Sequence, residues 1–256
     1  MQLAYQQFGD RGQPLIILHG LLGSSDNWRT LARRFGQHFR VYAVDLRNHG
    51  NSPQSHLMNF QVMAEDLLEF IRDHDLSPAH LLGHSLGGKV AMQTALTFPA
   101  ELSKLILVDI APKEYPPSHE SILTALAKID LDEIQSRQEA DSTLAETIDE
   151  RPIRQFLLKN LIRTDEGRYA WQMNLKGLRE NYHLLTKNIE HQPYTRFTRP
   201  ALFIRGERSS YINPTEDETR ILDLFPKAEI ITIPNAGHWV HADAPDAVFD
   251  AVVEFL

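Results

Sequence analysis

The segment Gly83-His84-Ser85-Leu86-Gly87-Gly88 sets a serine among glycines. It follows the apolar pair Leu81-Leu82 and precedes a helical pattern at Val90, Ala91, Thr94 and Ala95. A serine hydroxyl becomes a nucleophile when a sharp strand-to-helix turn lifts it above a sheet and a base takes its proton. Glycines beside it leave room for such a turn. The Leu86 N–H, at the head of the helix, then faces any negative charge that develops nearby. His19-Gly20-Leu21-Leu22-Gly23 follows an earlier apolar run and offers a second N–H for an oxyanion. Leu21 is the first choice and Leu22 the alternative. Taken singly, each segment also reads as an ordinary glycine-containing turn.

The sequence holds twelve histidines, so most must serve structure or face solvent. His238 stands out by position. It ends Pro234-Asn235-Ala236-Gly237-His238, after the last strand pattern and before the final helix, where a base downstream of the nucleophile is expected. His241 reads as a packing or supporting residue, and His84 should point away from the reaction. His19 should pack or hydrogen-bond beneath the oxyanion loop. His238 and His241 lack the glutamate of the H-E-x-x-H zinc motif, so no metal site is read here. Acyl transfer by serine calls for no cofactor.

These residues need a frame. The chain has 256 residues, enough for one large α/β domain. Its net charge of −8 is diffuse and it has no basic run, which argues against nucleic acid as a partner. No apolar stretch approaches the ~20 residues of a membrane span. The absence of cysteine excludes disulfides, thiolate catalysis and Cys-ligated zinc. With no signal-peptide pattern at the start, the expected location is the cytoplasm.

Leu15–Leu18, Val41–Val44, Leu81–Leu82, Leu105–Val108, Ala201–Ile204 and Ile230–Ile233 read as strands, with Leu3–Phe8 as a further edge strand. Near-continuous apolar runs suit strands buried on both faces. Helical patterns between them, such as Val62, Leu67, Phe70 and Ile71, predict an α/β, doubly wound, mostly parallel sheet. From Pro112 to Pro200 no strand is read. Ile122, Ala125, Leu126 and Ile129 mark one helix there, Ile153, Phe156, Leu157 and Leu161 another, and 133–150 is polar and helical. The expected organisation is a core of 1–111 and 201–256 with an inserted helical cap, 112–200, over the strand ends.

Together, His19-Gly20, the Asp45–Ser52 loop, the Ser85 turn and Gly237-His238 resemble the α/β-hydrolase family over essentially the whole chain. In that family Asp45-x-Arg47 is a structural loop pair. The segments Leu46–Gly50, Gly87-Gly88-Lys89, Val108–Pro112 and Gly237–Ala242 are similar to its small bacterial esterases. The resemblance implies hydrolysis of a small-molecule carboxylic ester or acyl thioester, acyl-CoA included. Many members carry the triad acid three residues after a glycine like Gly206, where this chain has Ser209. A serine cannot balance a histidinium. The resemblance points instead to Asp109, at the end of the preceding strand, over Glu207. A carbon–carbon hydrolase or lyase, or a ligand-binding receptor that keeps the triad, stays open as an alternative. Tyr115, Phe156, Leu157, Trp171, Met173 and Tyr211 are candidate pocket residues, and Arg163, Arg168 or Lys176 could steer an anionic substrate.

Overall fold

The structure is a computed structural model that describes residues 1–256. Its frame is a seven-stranded sheet in the order β1-β3-β2-β4-β5-β8-β9. The strands are β1 (Tyr5–Phe8), β2 (Pro14–Leu18), β3 (Arg40–Val44), β4 (Ala79–His84), β5 (Leu102–Val108), β8 (Ala201–Gly206) and β9 (Ala228–Ile233). Only β1 runs antiparallel; it covers the edge beside β3. Alternation along the strands divides the apolar side chains between two cores. Ile16, Leu18, Leu81, Leu105 and Phe203 face one, and Leu15, Ile17, Leu82, Ile106 and Ile204 face the other. That double burial is why these runs read as continuously apolar.

Helices close both faces. Against one lie α2 (Phe60–Asp73), α3 (Leu86–Thr97) and α8 (Pro214–Leu224). Against the other lie α1 (Arg29–Phe35) and α10 (Pro245–Phe255), with the short α9 (Val240–Asp243) leading into α10. Asn59 starts α2 by accepting the Val62 N–H at 2.9 Å, a side-chain cap on an otherwise orphan donor.

Between β5 and β8 the chain leaves the sheet and forms α4 (Glu120–Ala127), α5 (Arg137–Ala145), α6 (Arg151–Leu158) and α7 (Leu175–Leu185). The two apolar helical patterns and the polar one correspond to α4, α6 and α5. The expectation of no strand in this segment is corrected. β6 (Leu161–Arg163) and β7 (Tyr169–Trp171) form an antiparallel hairpin around Gly167, whose φ is +77°. The signal was the turn Asp165-Glu166-Gly167 between short apolar runs.

Asp45 and Arg47 are both structural, but they do not pair with each other. Asp45 accepts the N–H groups of Ser25 (2.7 Å) and Asn51 (2.9 Å). Arg47 forms a buried two-pronged ion pair with Asp66 on α2, at 2.6 and 2.8 Å, and also donates to the Leu57 carbonyl. Removing one partner strands the other charge. Asp66→Ala is expected to cost about 3–5 kcal/mol, read from the urea midpoint. A loss below about 1 kcal/mol, the worth of a surface pair, would contradict this burial argument.

Candidate active site

Ser85 sits between β4 and α3 with φ +51° and ψ −115°. A side chain in that conformation is strained and persists only where its surroundings hold it. They do so here. The Ser85 N–H donates to Val108 O at 3.1 Å, and Gly87 N–H donates to His19 O at 3.1 Å. A Cβ on Gly87 would stand 2.5 Å from the Leu18 carbonyl oxygen, so only glycine lets α3 approach β2 this closely.

His238 lies in the loop after β9. Its Nε2 accepts from Ser85 Oγ at 3.1 Å, and its Nδ1–H donates to Asp109 Oδ2 at 2.8 Å. Asp109 follows β5, is fully buried, and also has a positive φ, +52°. Its other oxygen, Oδ1, accepts the Gly206 N–H at 3.1 Å. Ser209, in the usual acid position, donates its hydroxyl to Asp109 Oδ2. The serine at that position thus binds the Asp109 carboxylate from the neighbouring strand end. Glu207 is elsewhere: it accepts the Asn235 N–H at 2.8 Å on the exposed side of the loop. The Tyr211 ring stacks on His238 at 3.7 Å between centroids, fixing the plane of the imidazole. This chain of hydrogen bonds can move a proton from Ser85 to His238 while Asp109 holds the required tautomer.

The loop at 19–23 faces the same hydroxyl. Leu22 N–H is already spent, because it donates to His49 Nε2 at 3.2 Å. Leu21 N–H makes no hydrogen bond within the protein. Leu86 is the first residue of α3, so its N–H has no acceptor within the helix. Leu21 and Leu86 are therefore the free donors on either side of Ser85.

Buried neutral histidines hold this loop. His19 Nε2 accepts the Leu46 N–H at 3.0 Å and its Nδ1–H donates to Gly20 O at 2.8 Å. Burial lowers the pKa of His19 to about 4, and burial with the neighbouring His19 lowers that of His49 to about 3. His84 points away from Ser85 and donates Nε2–H to the His238 carbonyl at 2.9 Å. His241 stacks on Trp28 at 4.3 Å. Sequence reasoning missed His119, which lines the site from the β5–α4 connection. Tyr182 Oη lies 3.2 Å from its Nδ1. A lone polar residue before a helix gives no sequence cue to such a role.

Two hollows open from Ser85. One is walled by Ile122, Ile153, Phe156, Leu157, His238 and Trp239. The other is lined in part by Lys89, Tyr115, Ser118, Tyr182 and Tyr211. Of the expected pocket residues, Phe156 and Leu157 line the first and Tyr115 and Tyr211 the second. Met173 is buried in the core, and Trp171, half-buried, packs against it outside both hollows. Arg163, Arg168 and Lys176 lie outside both hollows.

The elbow, the sheet and the crossover order define an α/β hydrolase, and a family model described as alpha/beta hydrolase fold matches residues 13–245. The chain belongs to that family and is a hydrolase. It is 40% identical to the sn-1-specific diacylglycerol lipase ABHD11 of Mus musculus, covering 97% of this chain and 82% of that protein. It is 34% identical to esterase YbfF of Escherichia coli strain K12, covering 95% and 92% respectively. A solved marine microorganism esterase superposes with a TM-score of 0.96 at 41% identity, covering 100% of this chain and 99% of the other. No helix is long and apolar enough to cross a membrane.

Proposed function

We propose that this hydrolase cleaves carboxylic esters or acyl thioesters through an acyl-enzyme on Ser85. The observation that carries the reading is the hydrogen-bonded line Ser85–His238–Asp109, opening onto an apolar hollow. Ser85 Oγ attacks the acyl carbon as His238 Nε2 takes its proton. The N–H groups of Leu21 and Leu86 hold the oxyanion. His238 then gives the proton to the departing alcohol or thiol, and water clears the acyl group by the reverse path. Asp109 orients His238 throughout. Residues 112–200 act as a cap over a core of 1–111 and 201–256, and α6 supplies Phe156 and Leu157 to the apolar wall. The names of the relatives, esterases and a diacylglycerol lipase, support an ester with an apolar chain as the substrate class.

The test pairs labelling with turnover. A fluorophosphonate is expected to label Ser85, and Ser85→Ala to lower kcat by about 10⁶-fold. A screen of p-nitrophenyl esters against acyl-CoA thioesters then ranks the two substrate classes. Labelling at another residue, or turnover surviving in Ser85→Ala, refutes the mechanism. Labelling of Ser85 without hydrolysis of any ester or thioester would favour a binding receptor.

A further inference from the structure

We infer that the hollow running from Ser85 to Lys89 takes the acyl half of the substrate and ends in an anion site. The preferred substrate is then the half-ester of a short dicarboxylic acid with an apolar alcohol. This rests on the acyl-enzyme reading above.

Both hollows are mostly apolar, but only the second holds a lysine, and they differ in their relation to the base. The departing alkoxide must receive its proton from His238 Nε2, so the alcohol half lies on the His238 side. His238 walls the first hollow and is absent from the wall of the second. The acyl half therefore points into the second hollow, toward Lys89.

Lys89 sits on α3, one helical turn beyond Ser85, and is 2% exposed. Its ammonium donates to the carbonyls of Lys113 and, at 3.3 Å, Lys187, and lies 5.2 Å from the centre of the Tyr115 ring. All of these partners are neutral. The neighbouring cations already have counter-charges: Lys113 pairs with Asp217 and Lys187 with Glu114. Lys89 forms no ion pair, whereas a buried ammonium is ordinarily matched by a carboxylate. Burial, and then Lys113, pull its pKa down to about 7, and Glu114, which is paired to Lys187, offsets this only in part. One ammonium proton remains for a ligand after the two carbonyls are served. One helical turn rises about 6 Å over four residues, a distance an acyl chain of a few carbons can span.

The reaction balances without a further reagent. Ser85 Oγ bonds to the ester carbonyl carbon, the bond to the alcohol oxygen breaks, and the alcohol leaves with the proton from His238. Water then releases the dicarboxylate and restores Ser85.

The experiment compares monohexyl glutarate with hexyl hexanoate, in which an ethyl group replaces the carboxylate, following hexanol release below neutral pH. Wild-type enzyme is expected to favour the half-ester by about tenfold or more in kcat/KM, the effect of one charge-assisted hydrogen bond. Lys89→Met is expected to lower that ratio by a similar factor. Equal or better use of hexyl hexanoate by wild type overturns the inference, and this result does not depend on how the variant folds. A ratio unchanged in a folded Lys89→Met protein also overturns it, leaving Lys89 as a clamp on the two carbonyls. If neither ester is cleaved and fluorophosphonate leaves Ser85 unlabelled, the acyl-enzyme reading fails first and takes this one with it.

Discussion

Asp109→Asn is expected to slow ester turnover by about 10²–10⁴-fold, with KM little changed, while Glu207→Gln stays at the wild-type rate. The reason lies in what surrounds the carboxylate. Asp109 accepts from His238 Nδ1–H, the Ser209 hydroxyl and the Gly206 N–H. Every neighbour is oriented to donate. An asparagine amide placed there must turn its NH₂ toward at least one donor. If it faces His238, the imidazole keeps its proton on Nε2 and cannot accept the one from Ser85. Glu207 caps the Asn235 N–H and touches no member of the line. Near-normal turnover in Asp109→Asn together with an inactive Glu207→Gln would move the acid to Glu207.

The fold should lose stability steeply as pH falls from about 6.5 to about 4, before most carboxylates titrate. The pKa of His19 is lowered to about 4, those of His49 and His241 to about 3, and that of His84 well below the ordinary 6.5, in each case chiefly by burial. The unfolded chain takes up protons at these histidines below pH 6.5 and the folded chain does not. Stability is therefore fully present above 6.5 and is withdrawn as pH drops toward the folded-state values. His19 alone accounts for on the order of 3 kcal/mol across its window. The hydrogen bonds explain why protonation is not absorbed: a charged His19 would set an N–H against the Leu46 N–H. Urea midpoints measured from neutrality downward check this. A midpoint that stays flat to about pH 4 would falsify the claim that these rings stay neutral in the fold.

The sequence carried the sheet because buried parallel strands leave an unbroken apolar run, as in Leu15–Leu18 and Leu105–Val108. Ser85 was legible because its turn demands glycine on both sides. His238 was legible only by its order in the chain, since nothing local separates it from the other histidines. Asp109 could be reached from the sequence only through a family likeness, because its partners, Gly206, Ser209 and His238, are distant in sequence. Lys89 was hidden for a related reason. A lysine on α3 reads as a solvated residue until the carbonyls of Lys113 and Lys187 close around it. The β6–β7 hairpin was missed because three-residue strands fall below what alternation can register.

The strand ends are joined by backbone hydrogen bonds in series. Ser85 N–H donates to Val108 O, Asp109 N–H to Ile204 O, and Glu207 N–H to Ile233 O. Ser85, Asp109 and the loop that carries His238 thus take their places by the pairing of neighbouring strands. β4 and β5 are near in sequence, as are β8 and β9, whereas β5 and β8 are separated by the whole insertion, so their pairing carries the long loop closure. During synthesis, a nascent chain that has passed Ser85 but not His238 holds a serine with no base and no finished sheet. On the proposed mechanism, ester turnover is therefore withheld until synthesis has passed His238 and the strands on either side of the insertion have paired.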